Sequence, residues 1–100
     1  MRKIREKLAA GKVVTMVNPD FQSPRLVEYL AGLGMDVSFI DGERMSYDFE
    51  RIEEMTRAAH LAGIASMARA WMNEPGLITR YFDCGLDGMA FPHVEDAATA

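Results

Sequence analysis

Cysteine is nearly missing from this chain. Cys84 stands alone among 100 residues, so no internal disulfide can form, which fits a reducing compartment. Neither a CxxC nor an HExxH spacing occurs, and a self-contained zinc site of those types is excluded. Positive charge is also in deficit: eleven Lys and Arg face fifteen Asp and Glu, for a net charge of −4. That balance repels phosphate backbones and predicts no nucleic-acid partner. The only basic run, Arg2, Lys3, Arg5 and Lys7, is broken by Gly11-Lys12 with no sustained apolar stretch behind it. A signal peptide or membrane anchor is therefore not expected, and a cytoplasmic protein without membrane contact is. What remains, 49% hydrophobic and 26% charged residues, is the composition of one folded globular domain.

Glycine and proline punctuate the chain into regular units. Arg2 to Ala10 carries Ile4 and Leu8 four apart, as a short surface helix does, and Gly11 stops it. Val13 to Val17 is β-branched and almost continuously apolar, the pattern of a parallel strand covered on both faces. Ser23-Pro24 then pairs an N-cap with proline at the first helical position, and Leu26, Val27, Leu30 and Leu33 follow as an apolar stripe. Val37 to Ile40 is a second strand, and Asp48 caps a helix with Phe49, Ile52, Met55, Ala59 and Ala62 inward. Ile64 to Ala68 is a third strand. Asn73 is expected to cap a helix packed through Leu77, Ile78, Tyr81 and Phe82; Gly88 to Phe91 is a fourth strand, and Glu95 to Ala100 begins another helix. The strands start about 24, 27 and 24 residues apart, the length of one strand–helix unit. Repeated βα units with apolar strands predict an α/β fold on a parallel sheet.

In such an array every strand points the same way, so the residues after each strand meet on one rim, where the sites of these folds lie. Those residues are Asn18 and Asp20; Asp41, Glu43 and Arg44; Arg69 and Trp71; and His93. Asp41 and Glu43 are open to two readings, turn-capping acids or functional ones. Arg69 follows an apolar strand, where an unpaired buried cation costs roughly several kcal/mol. It therefore needs an anionic partner: Asp41, Glu43 or a substrate carboxylate. A single histidine is weak support for catalysis, so His93 is read as non-catalytic. His60, near a helix end, suits the macrodipole, and the eight methionines suit a core better than a metal site. Lys12, Asp36 and Asp87 precede strands and read as structural.

Four segments carry a family resemblance: Phe39-Ile40-Asp41-Gly42-Glu43; Met67-Ala68-Arg69-Ala70-Trp71 with Asn73-Glu74-Pro75; Phe82-Asp83-Cys84-Gly85-Leu86-Asp87-Gly88; and Phe91-Pro92-His93-Val94. In order and spacing they resemble the HpcH/HpaI aldolase and citrate lyase family, from Ala10 to Ala98. The resemblance implies the first half, about four strands, of a TIM (β/α)8 barrel, with this chain a partial domain ending inside a helix. It also implies a homo-oligomer and a metal-dependent lyase or aldolase that acts on pyruvate or another 2-oxo acid through its enolate. Arg69 then corresponds to the arginine that stabilises the enolate oxygen, Asp83 to the aspartate paired with a catalytic histidine, and Asp41 and Glu43 to an acidic turn beside the metal waters. The cofactor implied is a divalent metal, Mg2+ or Mn2+ or another transition metal, with its protein ligands expected beyond Ala100 and none within this chain.

One position departs from the family pattern. Where the family has histidine after the acidic turn, this chain has Arg44, which stays protonated and accepts no proton. Arg44 is accordingly expected to bind an anionic part of the substrate, beside Arg69, Asp41, Glu43 and Trp71. The competing expectation is a non-catalytic or regulatory carboxylate-binding barrel that has lost its base.

Overall fold

The computed structural model describes residues 1–100, and three of its four helices start on side chains that satisfy their first amides. In α2 (Pro24–Gly32) the Ser23 hydroxyl accepts from the Leu26 amide at 3.3 Å. In α3 (Phe49–Leu61) the Asp48 carboxylate accepts from the Arg51 amide at 2.7 Å. Helix α1 (Arg2–Ala9) has no side-chain cap and buries no residue, as suits a surface helix. The cap of α4 (Pro75–Asp83) differs from expectation: it is Glu74, not Asn73. The Glu74 carboxylate accepts from the Gly76 and Leu77 amides at 2.9 and 2.7 Å, whereas the Asn73 side-chain amide donates to the Pro92 carbonyl at 2.6 Å. Asn73 thus ties two rim loops together.

Four parallel strands, β1 (Met16–Val17), β2 (Val37–Asp41), β3 (Ala65–Arg69) and β4 (Gly88–Ala90), lie side by side in chain order. Asp41 pairs with Arg69, and Arg69 with Ala90, at the carboxyl end. Each strand neighbours the next through one βα unit, so the sheet is an arc of the (β/α)8 type.

Strand alternation gives this arc two unlike faces. Ile40 and Ala68 point toward the helices and are fully buried with Val27, Ile52, Met55 and Tyr81. Complete burial contributes roughly 1.5–3 kcal/mol for each of the Val, Ile and Met side chains among them. Phe39, Met67 and Ala90 lie on the other face and are only half-buried. That face of β2 and β3 is buried only at Val37, Ala65 and Asp41, while β1, expected to be covered on both faces, leaves Met16 51% exposed. The first strand is corrected most. Only Met16 and Val17 pair, and Val13 is 78% exposed, because the Asp36 carboxylate takes the Thr15 amide at 2.8 Å where a longer ladder would continue. No helix forms over 95–100 either: Asp96 accepts from the amide and hydroxyl of Thr99, both at 2.7 Å, and closes a turn. One turn gives too few hydrogen bonds to offset helix nucleation.

The joints before β2 and β4 use one device twice. Gly34 and Gly85 take φ of +93° and +89°, values that only glycine adopts without strain. Two residues later an aspartate accepts the amide of the neighbouring chain segment: Asp36 from Thr15, and Asp87 from Ser66, each at 2.8 Å. Lys7 then pairs with Asp36 at 2.6 Å and His60 with Asp87 at 2.8 Å. His60 thus has a carboxylate partner as well as a helix end. Both aspartates are structural, and the joints fix the strand register that aligns the opposite rim.

Candidate functional site

At the carboxyl ends of β2 and β3 the paired positions Asp41 and Arg69 project from the same face of the sheet. Arg69 Nε donates to Asp41 Oδ1 at 3.0 Å and Nη2 to Oδ2 at 2.6 Å, a bidentate fork. Asp41 Oδ1 also accepts the amides of Glu43 and Arg44 at 3.2 and 3.3 Å, so it caps the turn as well. Asp41 is therefore the cap of the turn and, at the same time, the partner of Arg69. The Arg69 guanidinium, with help from the turn amides, holds this 5% exposed carboxyl below its ordinary pKa, and the pair raises Arg69 in return.

Glu43 extends the network. One of its oxygens lies 3.0 Å from Arg69 Nε and the other 2.9 Å from His93 Nε2. The partner that Arg69 needs is thus both acids of the turn. Arg69 Nη1 has no hydrogen-bond partner in the chain, leaving a donor free for an external oxygen. His93 has a φ of 54°, a conformation costing a non-glycine residue about 1–2 kcal/mol. The contact with Glu43 and the Asn73 clasp on Pro92 hold it there.

Beneath the turn the chain comes very close to β3. The Gly42 amide donates to the Arg69 carbonyl at 2.9 Å, and a Cβ at residue 42 would sit 2.7 Å from that oxygen and against the Tyr81 hydroxyl. Tyr81 is fully buried, its hydroxyl has no partner, and burial pushes its pKa up to about 12. Its ring packs edge-on to Phe49 and Trp71 with centroids at 5.4 and 5.7 Å. Tyr81 was legible as a core residue of its helix but not as the support of the acidic turn, since no spacing in the sequence links it to Gly42.

Trp71, expected at the substrate, is 43% exposed and packs in this aromatic group. It borders a cavity of about 500 Å³ with Gln22, Gly42, Met45, Tyr47 and Asp48, and none of Asp41, Glu43, Arg69 or His93 lines that space. Arg44 is exposed and forms no ion pair within the chain. The structure does not bring Asp83 to the cluster. It is the exposed last residue of α4, bordering a depression with Phe49, Glu50, Glu53, Arg80 and Cys84. The reason is helical spacing: Leu77, Tyr81 and Cys84 occupy the buried stripe, and residue 83 falls off it. Asn18 and Asp20 lie on the β1 loop, where the Tyr47 hydroxyl donates to Pro19 at 3.2 Å, outside the Arg69 network.

A divalent metal finds no complete seat among these residues. No three His, Cys, Asp or Glu side chains are gathered to hold an ion, and both Asp41 and Glu43 already serve Arg69 and His93. Two carboxylates against one guanidinium leave the cluster net negative while His93 is neutral. An anionic ligand here needs a further cation.

A parallel βα arc with a carboxylate-clamped arginine on its carboxyl rim defines the class: part of a TIM-barrel-type α/β protein. The chain is 30% identical over 96 residues to the hydroxypyruvate/pyruvate aldolase of Roseovarius nubinhibens, covering 96% of this chain and 37% of that protein. The structure of an HpcH/HpaI aldolase from Desulfitobacterium hafniense DCB-2 is 31% identical with a TM-score of 0.75, over 86% of this chain and 34% of the other. Citrate synthase SbnG is 28% identical with a TM-score of 0.88, over 96% of this chain and 39% of the other. No protein-family profile matches. In sequence and in fold alike, this chain is similar to part of an aldolase and to part of an HpcH/HpaI aldolase. The chain spans little more than a third of the length of these relatives. No helix is long and apolar enough to cross a membrane.

Proposed function

We propose that the full-length protein is a carbon–carbon lyase or aldolase that acts on a 2-oxo acid such as pyruvate through its enolate. The observation that carries this reading is Arg69, whose Nε and Nη2 are fixed by Asp41 and Glu43 while Nη1 is left free. A guanidinium held in place before the reaction stabilises negative charge as it develops on a carbonyl oxygen, with no reorganisation at that moment. Its relatives include a hydroxypyruvate/pyruvate aldolase and an HpcH/HpaI aldolase, which supports that class of chemistry.

The net negative cluster sets the second role. Arg44, exposed and unpaired beside the turn, supplies positive charge for the substrate carboxylate. A divalent metal, Mg2+ or Mn2+, belongs to this proposal as a cofactor held by residues outside this chain. The barrel works in the cytoplasm as a homo-oligomer.

The test is proton exchange. Full-length protein incubated with pyruvate in D2O is expected to place deuterium on the methyl carbon, and to stop doing so when divalent metal is removed. Pyruvate binding without exchange would instead identify a carboxylate-binding barrel that no longer turns over. That second reading rests on Arg44, which cannot take a proton.

A further inference from the structure

We infer that His93, held by Glu43, is the group that moves the proton to and from the methyl carbon of the 2-oxo acid. The inference rests on the proposed enolising function and names its base. Arg44 cannot serve, and Asp41 is committed to the guanidinium and two turn amides. Of the groups that titrate near neutral pH, only His93 reaches this cluster; His60 is bound to Asp87 at the other end of the sheet.

The contacts assign the ring atoms. Glu43 Oε1 lies 2.9 Å from Nε2, so Nδ1 is the ring nitrogen that Glu43 leaves to a ligand, and the proposal gives it the lone pair. Nδ1 takes a proton from the methyl carbon. The C–H electron pair becomes the new carbon–carbon π bond, and the carbonyl π pair moves onto oxygen, where Arg69 Nη1 donates to it. The exposed imidazolium trades that proton with solvent and on return delivers a proton, in D2O a deuteron, to carbon, so the cycle consumes no reactant but water. Glu43 stabilises the imidazolium as it forms and spans the two groups, since its carboxylate touches both His93 and Arg69. The charged groups facing His93 are Glu43, with Arg69 and Asp41 behind it; Glu95 makes no ion pair with the ring. The imidazole is 71% exposed, so a ligand can reach it and its replacement leaves the core untouched.

The test compares full-length wild-type protein with His93→Gln and Glu43→Gln, in saturating Mg2+ and D2O, from about pH 5 to about pH 9. The readouts are the rate of methyl deuteration of pyruvate, pyruvate affinity by calorimetry, and the imidazole C2 proton shift by NMR. The wild-type rate is expected to rise with pH and level off, as a reaction that needs a neutral imidazole does. His93→Gln is expected to lose that rise and at least about 100-fold in rate, with affinity changed less than about threefold. Glu43→Gln is expected to lose exchange rate as well, because the side chain that touches both His93 and Arg69 no longer carries a charge for either. A His93→Gln protein that exchanges at the wild-type rate with the wild-type pH profile overturns the assignment and leaves the enolising function standing. A wild-type protein that binds pyruvate without exchange overturns the function, and this assignment with it.

Discussion

Gly42 is the smallest residue of the rim and the least replaceable. Its amide bonds to the Arg69 carbonyl, and the space where a side chain would begin is filled by that carbonyl and the Tyr81 hydroxyl. Gly42→Ala must push the turn off β3 or displace a fully buried tyrosine. It is expected to cost about 1–3 kcal/mol in urea denaturation, and to loosen the carboxylate fork on Arg69 as well. Unchanged stability in Gly42→Ala would mean that the turn does not rest on β3 in solution. Sequence alone made Asp41, Glu43 and Arg69 legible, because residues after parallel strands converge. It did not reveal that Glu43 bridges Arg69 to His93: a lone histidine after a proline carries no spacing signal. The resemblance that pointed to Asp83 could not register that residue 83 falls on the exposed side of α4, away from Arg69.

At the scale of elements, the joints before β2 and β4 hold the sheet in register through aspartates that work only when ionised. Lys7 and the Thr15 amide bring Asp36 from 3.8 to about 2. Burial pushes Asp87 up, but the Ser66 amide and His60 outweigh it and leave its pKa lowered; Asp41 is lowered by Arg69. A carboxyl whose folded pKa lies below its unfolded one stabilises the fold above the unfolded value and loses that contribution as pH falls through the folded one. Stability is therefore expected to hold above about pH 4 and to fall between about pH 4 and pH 2. Asp36→Asn should flatten part of that fall in denaturation midpoints measured across pH. A wild-type midpoint that stays level down to pH 2 would contradict the assigned role of the joints. The helices were legible from their caps and apolar stripes, as at Ser23 and Asp48. Strand β1 was not, since Val13 to Val17 has β-forming residues but the Thr15 amide goes to Asp36. Local propensity does not record which partner an amide finds.

For the whole molecule, the two faces of the sheet divide the work. Helices α2 to α4 bury one face and give the arc its stability; the other face carries Asp41 and Arg69 at its carboxyl end. Repeated spacing made this architecture legible in the sequence, because each βα unit must return the chain to the same edge of the sheet. In the proposed chemistry everything depends on Arg69: fixed by two carboxylates, it is the group that carries enolate charge. Lysine keeps the cation but cannot form the fork to Asp41 while leaving a donor free in the same plane. The direct measurement is methyl deuteration of pyruvate by full-length Arg69→Lys against wild type, with circular dichroism to verify the fold. A loss of about 100-fold or more in exchange rate is expected, with the fold intact. Exchange at the wild-type rate in a folded Arg69→Lys protein would contradict that role for Arg69.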